Sequence, residues 1–461
     1  MRGDPVKETA RAAASHRQVR PTRSDAVAAV RWLGVYIAAV ALPLLALLPG
    51  TSLAGRGFAW DFSMALGYAA LAMLGVQFAL TARFRRATAP FGIDIVFYFH
   101  RYLALCALLI ALAHYAILRI DNPAALGAAD PRVAPLHMSA GRVALLLFVV
   151  VVVLSLARRL LRLEYDRWRI THAVLATLAL ALAIWHVFGA AHYLDRPWKT
   201  GLWVGWSVFW LGLIAYVRVL RPWRVARQPY RIAEVRQERG HVWTLALESP
   251  GGERLRFAPG QFAWLTLRAS PFAMREHPFS IASSALRPER IEFGIKELGD
   301  FTATIKDIRP GEIAYVDAPY GSFGIDQRPG APGYVFVAGG IGIAPILSML
   351  RTLADRGDPR PLTLFYGNRV WERVAYREEL EALSRRLALR VVHVLLEPPA
   401  DWSGERGFIA RDVLARHLPA EAAAQEFFLC GPTPMTQDVE RSLAALGVPA
   451  SRIHSEIFDW V

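Results

Sequence analysis

The apolar residues of this chain follow two patterns that meet near residue 220. Before that point they form six long runs, each close to the roughly 20 residues that cross a bilayer as a helix. The predicted spans are residues 32–48, 58–81, 93–118, 141–156, 170–190 and 201–217. The pattern therefore predicts a multi-domain membrane protein with a six-helix transmembrane bundle in residues 32–220.

After Tyr230 the apolar runs become short and alternate with polar residues. Strands are predicted at 231–237, 241–247, 262–267, 290–295 and 313–317, with Pro-Gly turns at 259–260 and 310–311. Beyond Pro332, strands at 334–338, 362–366, 390–395 and 426–429 alternate with helices that start at Ala344 and near Arg377. These patterns predict an antiparallel β-barrel domain in residues 228–328 and an α/β domain with a parallel, nucleotide-binding sheet in residues 332–461.

Composition supports a membrane protein. A hydrophobic content of 54% and a mean hydropathy of +0.27 exceed those of an ordinary soluble enzyme. The net charge of +14 comes largely from Lys and Arg beside the apolar runs, which indicates membrane orientation and argues against nucleic-acid binding. Residues 1–31, rich in Arg, Ala and Ser, are predicted to be a disordered arm. Two cysteines, Cys106 and Cys430, leave no disulfide framework.

The basic segments fix the expected topology. Residues 1–31, 82–94, 157–169 and 218–231 are rich in Arg, whereas 49–57, 119–140 and 191–200 carry few cations. The positive-inside rule then puts the N-terminus and the second half of the chain in the cytoplasm. We expect an integral, multi-pass protein of a bacterial plasma membrane.

Four histidines lie in the third and fifth predicted spans, in two pairs with equal spacing. His100 and His114 are 14 residues apart, as are His172 and His186. Fourteen residues at about 100° each return to nearly the same helix face, roughly 21 Å further along. Because both spans run in the same direction, His100 should face His172 at the inner level, and His114 should face His186 at the outer level. Imidazoles matched at two depths fit the axial ligands of two haems.

Two other interpretations of these histidines stay open. A single histidine on an apolar face is more often an ordinary core residue, and a series of them could form the proton relay of a transporter with a regulatory nucleotide-binding domain. The repeated spacing favours haem. His137 and His192 fall in outer loops, where we expect solvated side chains.

Two motifs in the second half suggest nucleotide chemistry. Residues 335–345, VFVAGGIGIAP, combine an apolar strand, a glycine turn and a helix start, so the backbone of Gly339, Gly340 and Gly342 could approach a pyrophosphate, with Pro345 in the first helical turn. The third glycine of the usual fingerprint is absent, and a tight βα turn is the alternative. About sixty residues earlier, residues 277–280 read HPFS.

With these motifs, residues 30–461 resemble the ferric reductase and NADPH oxidase family, and residues 230–461 resemble the ferredoxin–NADP reductase superfamily. The resemblance implies two b-type haems, FAD and a nicotinamide nucleotide. The implied flavin contacts are Arg275, His277, Pro278, Phe279, Ser280, Lys296, Gly299 and Thr302. The implied nicotinamide-nucleotide contacts are Gly339, Gly340, Gly342, Pro345, Cys430, Gly431 and Pro432. By itself Cys430 could equally be an ordinary buried thiol.

The C-terminus resembles the family's terminal acidic-x-aromatic segment. Glu456 and Phe458 match it, which implies that with Cys430 they act beside the flavin and that the Phe458 ring covers it until nicotinamide displaces the ring. The chain continues to Trp460 and Val461, so Trp460 is a second candidate for the cover.

Nucleotide and acceptor choice depend on two further positions. Arg369 ends a predicted strand where a guanidinium could pair with the 2′-phosphate of NADPH, although a solvated surface Arg is the alternative and NADH stays possible. The family's oxidases commonly carry a histidine one turn beyond the outer ligand, and here that residue is Leu118. We therefore expect a transmembrane oxidoreductase that passes electrons from NADPH through FAD and two haems to oxygen or a ferric chelate. A partner protein or a quinone is the alternative acceptor.

Overall fold

The computed structural model describes residues 23–50, 57–84, 92–252 and 255–457. The first half of the chain is helical and the second half contains two sheets. The helices before residue 230 are α1 (Arg23–Leu45), α2 (Phe58–Thr81), α3 (Gly92–Asp121), α4 (Leu136–Leu156), α5 (Tyr165–Ala190), α6 (Pro197–Ala215) and α7 (Arg221–Ala226). A π-helical turn, Tyr216–Leu220, joins α6 to α7 just before Pro222, whose missing N–H interrupts the helical hydrogen bonds.

Within the described residues, five helices are long and apolar enough to cross a membrane, namely α2 to α5 and the continuous segment Pro197–Ala226. The first helix begins at Arg23, before the predicted span, but its apolar part, Val30–Leu45, is shorter than the other five. A bundle of long apolar helices in the first half of the chain is thus confirmed, while the sixth span stays a prediction.

The bundle packs around aromatic residues of α6. Trp203, Trp206 and Trp210 recur at helical spacing on one face and are buried. They pack on α2 at Gly75, where a Cβ would come within 2.8 Å of the Trp206 and Trp210 rings. Glycine at this position therefore permits the close contact between α2 and α6.

An antiparallel sheet follows the helices. Its strands are β1 (Tyr230–Gln237), β2 (Val242–Glu248), β3 (Phe262–Leu267), β4 (His277–Ser280), β5 (Arg290–Lys296) and β6 (Ile313–Tyr320), in the order β4-β3-β6-β1-β2-β5. Ile281, next to β4, pairs with Phe293 of β5, so the two outer strands of the sheet also meet. Apolar side chains from both ends of the order, such as Ile281 and Phe293, share one buried core.

A parallel sheet ends the chain. Its strands are β7 (Tyr334–Gly339), β8 (Leu362–Asn368), β9 (Leu389–Leu395), β10 (Glu405–Arg406), β11 (Glu426–Gly431) and β12 (Ile453–Ile457), in the order β10-β9-β8-β7-β11-β12. The helices of this half are α8 (Asp300–Ala303), α9 (Ile343–Arg356), α10 (Arg377–Ser384), α11 (Arg411–His417) and α12 (Thr433–Ala445). β7 and β11 are buried along their whole length, as expected for parallel strands covered on both faces. The predicted order of a membrane part, an antiparallel sheet and a parallel sheet is confirmed.

Candidate functional site

The four membrane histidines lie at two levels between α3 and α5. His100 and His172 face each other with ring centres 6.2 Å apart. His114 and His186 both line one cavity between α2, α3, α4 and α5, which is otherwise largely apolar. The structure therefore brings together the two histidine pairs that were predicted from the common direction of the third and fifth spans.

Backbone carbonyls orient the two outer rings. His114 Nδ1 lies 2.7 Å from the carbonyl oxygen of Ser63, and His186 Nδ1 lies 3.0 Å from the carbonyl oxygen of His137. Because a carbonyl oxygen can only accept, each Nδ1 carries the proton and each neutral ring keeps an unprotonated Nε2. This is the tautomer that a metal ligand requires.

A glycine lies four residues after each of these carbonyls and touches the same ring. A Cβ at Gly67 would lie 3.1 Å from His114, and a Cβ at Gly141 would lie 2.7 Å from His186. Each outer ring is therefore held by a backbone oxygen and a glycine from one neighbouring helix, in two equivalent arrangements.

The inner level has a related arrangement. His172 Nδ1 lies 3.0 Å from Ser155 Oγ, and Ser155 itself donates to the Val151 carbonyl at 2.6 Å, so the serine accepts from His172. His100 Nδ1 is buried without a hydrogen-bond partner among the described residues. With metal–nitrogen bonds of about 2 Å, two imidazoles that share one metal ion have ring centres roughly 6 Å apart. The 6.2 Å separation fits a haem iron between His100 and His172.

Other polar residues surround the outer cavity. His192 and Arg142 line it together with the two outer histidines and the apolar Leu118. His192 is half-buried and accepts a hydrogen bond from Trp60 Nε1 at 3.1 Å, so it is not the solvated loop residue that we expected. His137 lies in the first turn of α4, where its side chain packs against Gly189. The sequence did not predict these contacts of His192 and His137, because Trp60 and Gly189 are distant from them in the chain.

The HPFS segment forms β4, an edge strand of the antiparallel sheet. His277 stacks on Phe301 with ring centres 3.7 Å apart, and Phe279 lies on the same ring at 6.0 Å. Ser280 is buried, and its hydroxyl has no hydrogen-bond partner among the described residues. A buried hydroxyl without a partner, on the same short strand as two ring-stacking residues, fits a planar, polar ligand such as a flavin.

The remaining predicted flavin residues lie around this strand. Arg275 is exposed, Pro278 is half-buried, and Lys296 is half-buried at the end of β5, where burial and the nearby Arg373 lower its pKa. Thr302 Oγ accepts hydrogen bonds from the backbone N–H groups of Leu298 and Gly299. Thr302 therefore stabilises the turn into α8, whether or not it also contacts a ligand.

The glycine turn lies at the carboxyl end of β7 and leads into α9. Gly340 has a positive φ of 53°, and a Cβ on it would lie 3.7 Å from Lys296 Nζ, so a lysine of the antiparallel sheet reaches this turn. A Cβ at Gly342 would lie 2.1 Å from the Cys430 carbonyl oxygen. Pro345 occupies the first turn of α9, as predicted from its position in the motif.

The Cys430 segment closes the same edge. Cys430 and Gly431 end β11, and Pro432 precedes α12. Glu456 of β12 is the register partner of Cys430. Burial, and secondarily Glu456, raise the pKa of the Cys430 thiol well above its usual value, so the thiol is neutral. Phe458 and Trp460, the two candidates for the ring predicted to cover the flavin, lie outside the described residues.

Arg369 follows β8 and forms an ion pair with Glu397. Its Nη2 lies 2.8 Å from Glu397 Oε1, and the two side chains are 65% and 54% exposed. A carboxylate beside this guanidinium competes with a 2′-phosphate and could itself accept from a ribose hydroxyl.

Ion pairs join the sheet that carries β4 to the helical half. Glu276, next to His277, accepts from Arg83 at 2.9 Å and from Arg169 at 2.9 Å. A second pair links Arg221 of α7 to Asp317 of β6 at 2.7 Å. The predicted flavin strand therefore abuts the end of α5 that carries His172.

Three family models match successive parts of the chain. The model described as ferric reductase like transmembrane component matches residues 66–184, the FAD-binding domain matches 228–312, and the oxidoreductase NAD-binding domain matches 336–441. The chain belongs to the ferric reductase and NADPH oxidase-like fusion proteins. In this ferric reductase-like chain a transmembrane component is thus followed by an FAD-binding domain and an NAD-binding domain.

Curated relatives match about half of this ferric reductase-like chain. Ferredoxin–NADP reductase B of Sorangium cellulosum is 32% identical over 50% of this chain and 96% of its own length. The propane 2-monooxygenase reductase component of Rhodococcus jostii is 33% identical, over 46% of this chain and 58% of that protein. The glycine betaine monooxygenase reductase subunit of Chromohalobacter salexigens is 28% identical, over 51% of this chain and 65% of that protein. The chain thus covers less than two thirds of either monooxygenase reductase.

Solved structures also match about half of the chain. The ferredoxin reductase of carbazole 1,9a-dioxygenase covers 50% of this chain and 69% of its own, with 25% identity and a TM-score of 0.45. The FAD/NAD-binding domain of a nitric oxide dioxygenase from Vibrio cholerae covers 50% of this chain and 98% of its own, with 22% identity and a TM-score of 0.45.

Proposed function

We propose that this protein carries electrons from cytoplasmic NADPH through FAD and two b-type haems to an acceptor on the far side of a bacterial plasma membrane. The supporting observation is the repeated histidine arrangement. Two imidazole pairs at two levels, three of their four Nδ1 atoms bound to oxygen acceptors, occur in one chain with FAD- and NAD(P)-binding domains. An ordinary core histidine does not require a second histidine opposite it. A proton relay does not require two histidine pairs at matching depths on two helices.

The proposal includes the finer architecture. The span predicted at residues 32–48, most of which lies in α1, would be the sixth, with residues 1–31 and both sheets in the cytoplasm. The meeting of β4 and β5 would close the antiparallel sheet into a barrel. The domains would be residues 32–220 for the haems, 228–328 for FAD and 332–461 for the nucleotide.

Each part of the chain would contribute binding and orientation. His100 with His172, and His114 with His186, would hold the irons through Nε2, and the Nδ1 partners of His114, His172 and His186 would fix the orientation of those three rings. The β4 strand and Lys296 would hold the flavin, which when bound converts hydride transfer into single-electron transfer. Gly339, Gly340 and Gly342 would admit the nucleotide pyrophosphate to the backbone. No side chain needs to act as an acid or a base.

Two kinds of terminal electron acceptor are candidates, a small molecule and a partner protein. Oxygen or a ferric chelate would react at the outer haem edge, since both axial positions would be filled. The matched relatives from Rhodococcus jostii and Chromohalobacter salexigens are, by name, reductase parts of monooxygenases, which supports a partner protein as the second candidate.

Absorbance of the purified protein tests the proposal first. Protein from haem-replete cells should contain two haems, and a haem-free preparation would refute the electron route. His114→Ala or His186→Ala should remove the outer haem and leave the inner one, while NADPH still reduces FAD. Loss of the same haem in His114→Ala and His172→Ala, but not in His186→Ala, would refute the pairing.

The acceptor is then identified by difference. Protein reduced anaerobically with NADPH is mixed separately with oxygen and with ferric chelates, and haem reoxidation is followed. Rapid reoxidation by one of them identifies it. Persistence of the reduced haems with both favours a partner protein or a quinone.

A further inference from the structure

The junction between the two halves contains a single carboxylate held by two arginines. Glu276 Oε1 accepts from Arg83 Nη2, and Glu276 Oε2 accepts from Arg169 Nη2, each at 2.9 Å. Arg169 Nη1 also donates to the Glu276 carbonyl oxygen at 3.2 Å. The side chains of Arg83, Arg169 and Glu276 are only 15%, 13% and 18% exposed. This is a well-enclosed ion-pair network, unlike an ordinary surface pair.

The two arginines come from different parts of the helical half. Arg83 follows α2 and adopts a left-handed backbone with φ 55°, and its guanidinium lies 3.5 Å from the centre of the Trp264 ring in β3. Ala82, which precedes Arg83, accepts a hydrogen bond from Arg221 through its carbonyl oxygen at 2.9 Å. This bond fixes the end of α2 to α7. Because a non-glycine residue pays a conformational cost in this region, the Arg83 contacts must compensate for it.

The position of Glu276 gives the network its significance. Glu276 immediately precedes His277, the first residue of the predicted flavin strand, and Arg169 lies three residues before His172 on the same helix. Trp168, next to Arg169, contacts the His172 ring with centres 5.4 Å apart. One carboxylate therefore connects the flavin strand to the helix turn that presents an inner histidine.

We propose that Glu276 is a positioning residue for electron transfer between the halves. By binding Arg83 and Arg169 at once, it fixes the distance over which one electron passes from the reduced flavin to the ferric iron of the inner haem. Hydride transfer from NADPH to the flavin takes place at the glycine-turn edge and does not depend on this contact. This inference rests on the proposed function only for the identity of donor and acceptor, since the docking contact is independent of haem.

The test compares Glu276→Gln with a matched control. Glutamine keeps the size of the side chain and removes the charge. Glu312→Gln is the control. Glu312 also binds an arginine, Arg268, at 2.7 and 2.8 Å, but both residues belong to the antiparallel-sheet part of the chain, so this pair does not join the two halves. Arg83→Gln, which leaves the Arg169 pair in place, is a second variant in case Glu276→Gln does not fold.

Stopped-flow absorbance resolves the two electron-transfer steps. In Glu276→Gln, flavin reduction by NADPH should stay within about twofold of wild type, while haem reduction slows by roughly 10- to 100-fold, as expected if the docked arrangement falls to between about 10% and 1% of the molecules. Arg83→Gln should give a smaller slowing of the same step, and Glu312→Gln should change neither step. Unchanged haem reduction in both junction variants, or equal slowing of both steps, would overturn the proposal.

Hydrogen exchange on the same proteins supplies a readout that needs no haem. Exchange should increase at residues 164–172 and 274–280 in Glu276→Gln and Arg83→Gln, but not in Glu312→Gln. Unchanged exchange in both junction variants would overturn the docking role, whatever the haem content. Increased exchange in variants of a protein that contains no haem would support the docking role of Glu276 and would refute only the proposed electron route.

Discussion

Glycines 67 and 141 are required by the imidazole rings that pack against them. Each glycine lies four residues after the residue whose carbonyl binds a histidine Nδ1, so the ring touches the helix over a single turn. A Cβ at Gly141 would overlap the His186 ring, and a Cβ at Gly67 would press on the His114 ring more closely than an ordinary van der Waals contact. At this scale, the backbone of one helix decides which nitrogen of a histidine on the next helix can bind a metal.

The first prediction follows from the closer of these contacts. Gly141→Ala would place a Cβ 2.7 Å from the His186 ring, which must then turn away from the carbonyl of His137. We expect loss of most of the outer haem, consistent with a fall in affinity of roughly 10- to 100-fold, with the inner haem retained. Haem content and the spectrum of the purified variant measure this.

Gly205→Ala is the control for this prediction. Gly205 lies in α6, and apart from its chain neighbours and the backbone of its own helix no atom of the described residues comes within 4 Å of the place that a Cβ would occupy there, so the substitution should leave both haems bound. Full haem occupancy in Gly141→Ala would show that the His186 ring does not bind iron in the observed orientation.

The second prediction concerns nucleotide choice. If Arg369 pairs with the 2′-phosphate, Arg369→Ala should raise the KM for NADPH by roughly 10- to 100-fold and hardly change that for NADH. Glu397→Gln removes the competing carboxylate, whose nearest oxygen lies 2.8 Å from Arg369, and should lower the KM for NADPH by roughly two- to fivefold. Steady-state kinetics with both nucleotides measure these effects. Equal changes for NADPH and NADH in both variants would exclude a role for the pair in nucleotide choice.

At the scale of helices and strands, periodicity predicted most of the elements. The second span, 58–81, coincides with α2, and the strand 262–267 coincides with β3. These segments are either long and continuously apolar or short and bounded by turn residues, and such signals depend little on the rest of the fold. The order of the strands within each sheet was not predictable in this way, because neighbours such as β1 and β6 are far apart in sequence.

The missed elements depend on tertiary contacts. β4 contains a proline and only four residues, so no alternation identifies it as a strand, yet it pairs with β3 at the sheet edge. β12 contains His454 and Glu456 and becomes a strand by pairing with the buried β11. The partners of the histidine Nδ1 atoms were also unpredictable, because two of them are backbone carbonyls that any residue could supply.

At the scale of the whole molecule, charge assigned a topology but did not reveal how the halves meet. The arginines near the span ends were predicted to set orientation. Arg83, Arg169 and Arg221 also bind carboxylates of the antiparallel sheet. Glu276 is 193 residues from Arg83 and 107 residues from Arg169, so no local pattern connects them. Basic residues that were predicted to set the orientation therefore also join the two halves.

The last prediction uses the pH dependence of this junction. Burial alone would raise the pKa of Glu276, but Arg83 and Arg169 outweigh it and lower that pKa from 4.5 to about 2. A carboxylate whose pKa is lowered by folding stabilises the folded state fully above its ordinary pKa, and this contribution decreases as the pH falls towards the lowered value. The shift corresponds to about 3 kcal/mol at neutral pH, as an order of magnitude.

The difference in melting temperature between wild type and Glu276→Gln should therefore be the same at pH 7 and pH 6, and should shrink as the pH falls below about 4.5. Intrinsic tryptophan fluorescence during heating measures it, with both proteins in the same detergent. A difference that grows on acidification would have the wrong sign for a carboxylate stabilised by arginines. A difference that disappears between pH 7 and pH 6 would implicate a histidine instead, and His277, which lies 3.8 Å from Asp166 at the same junction, would be the group to examine.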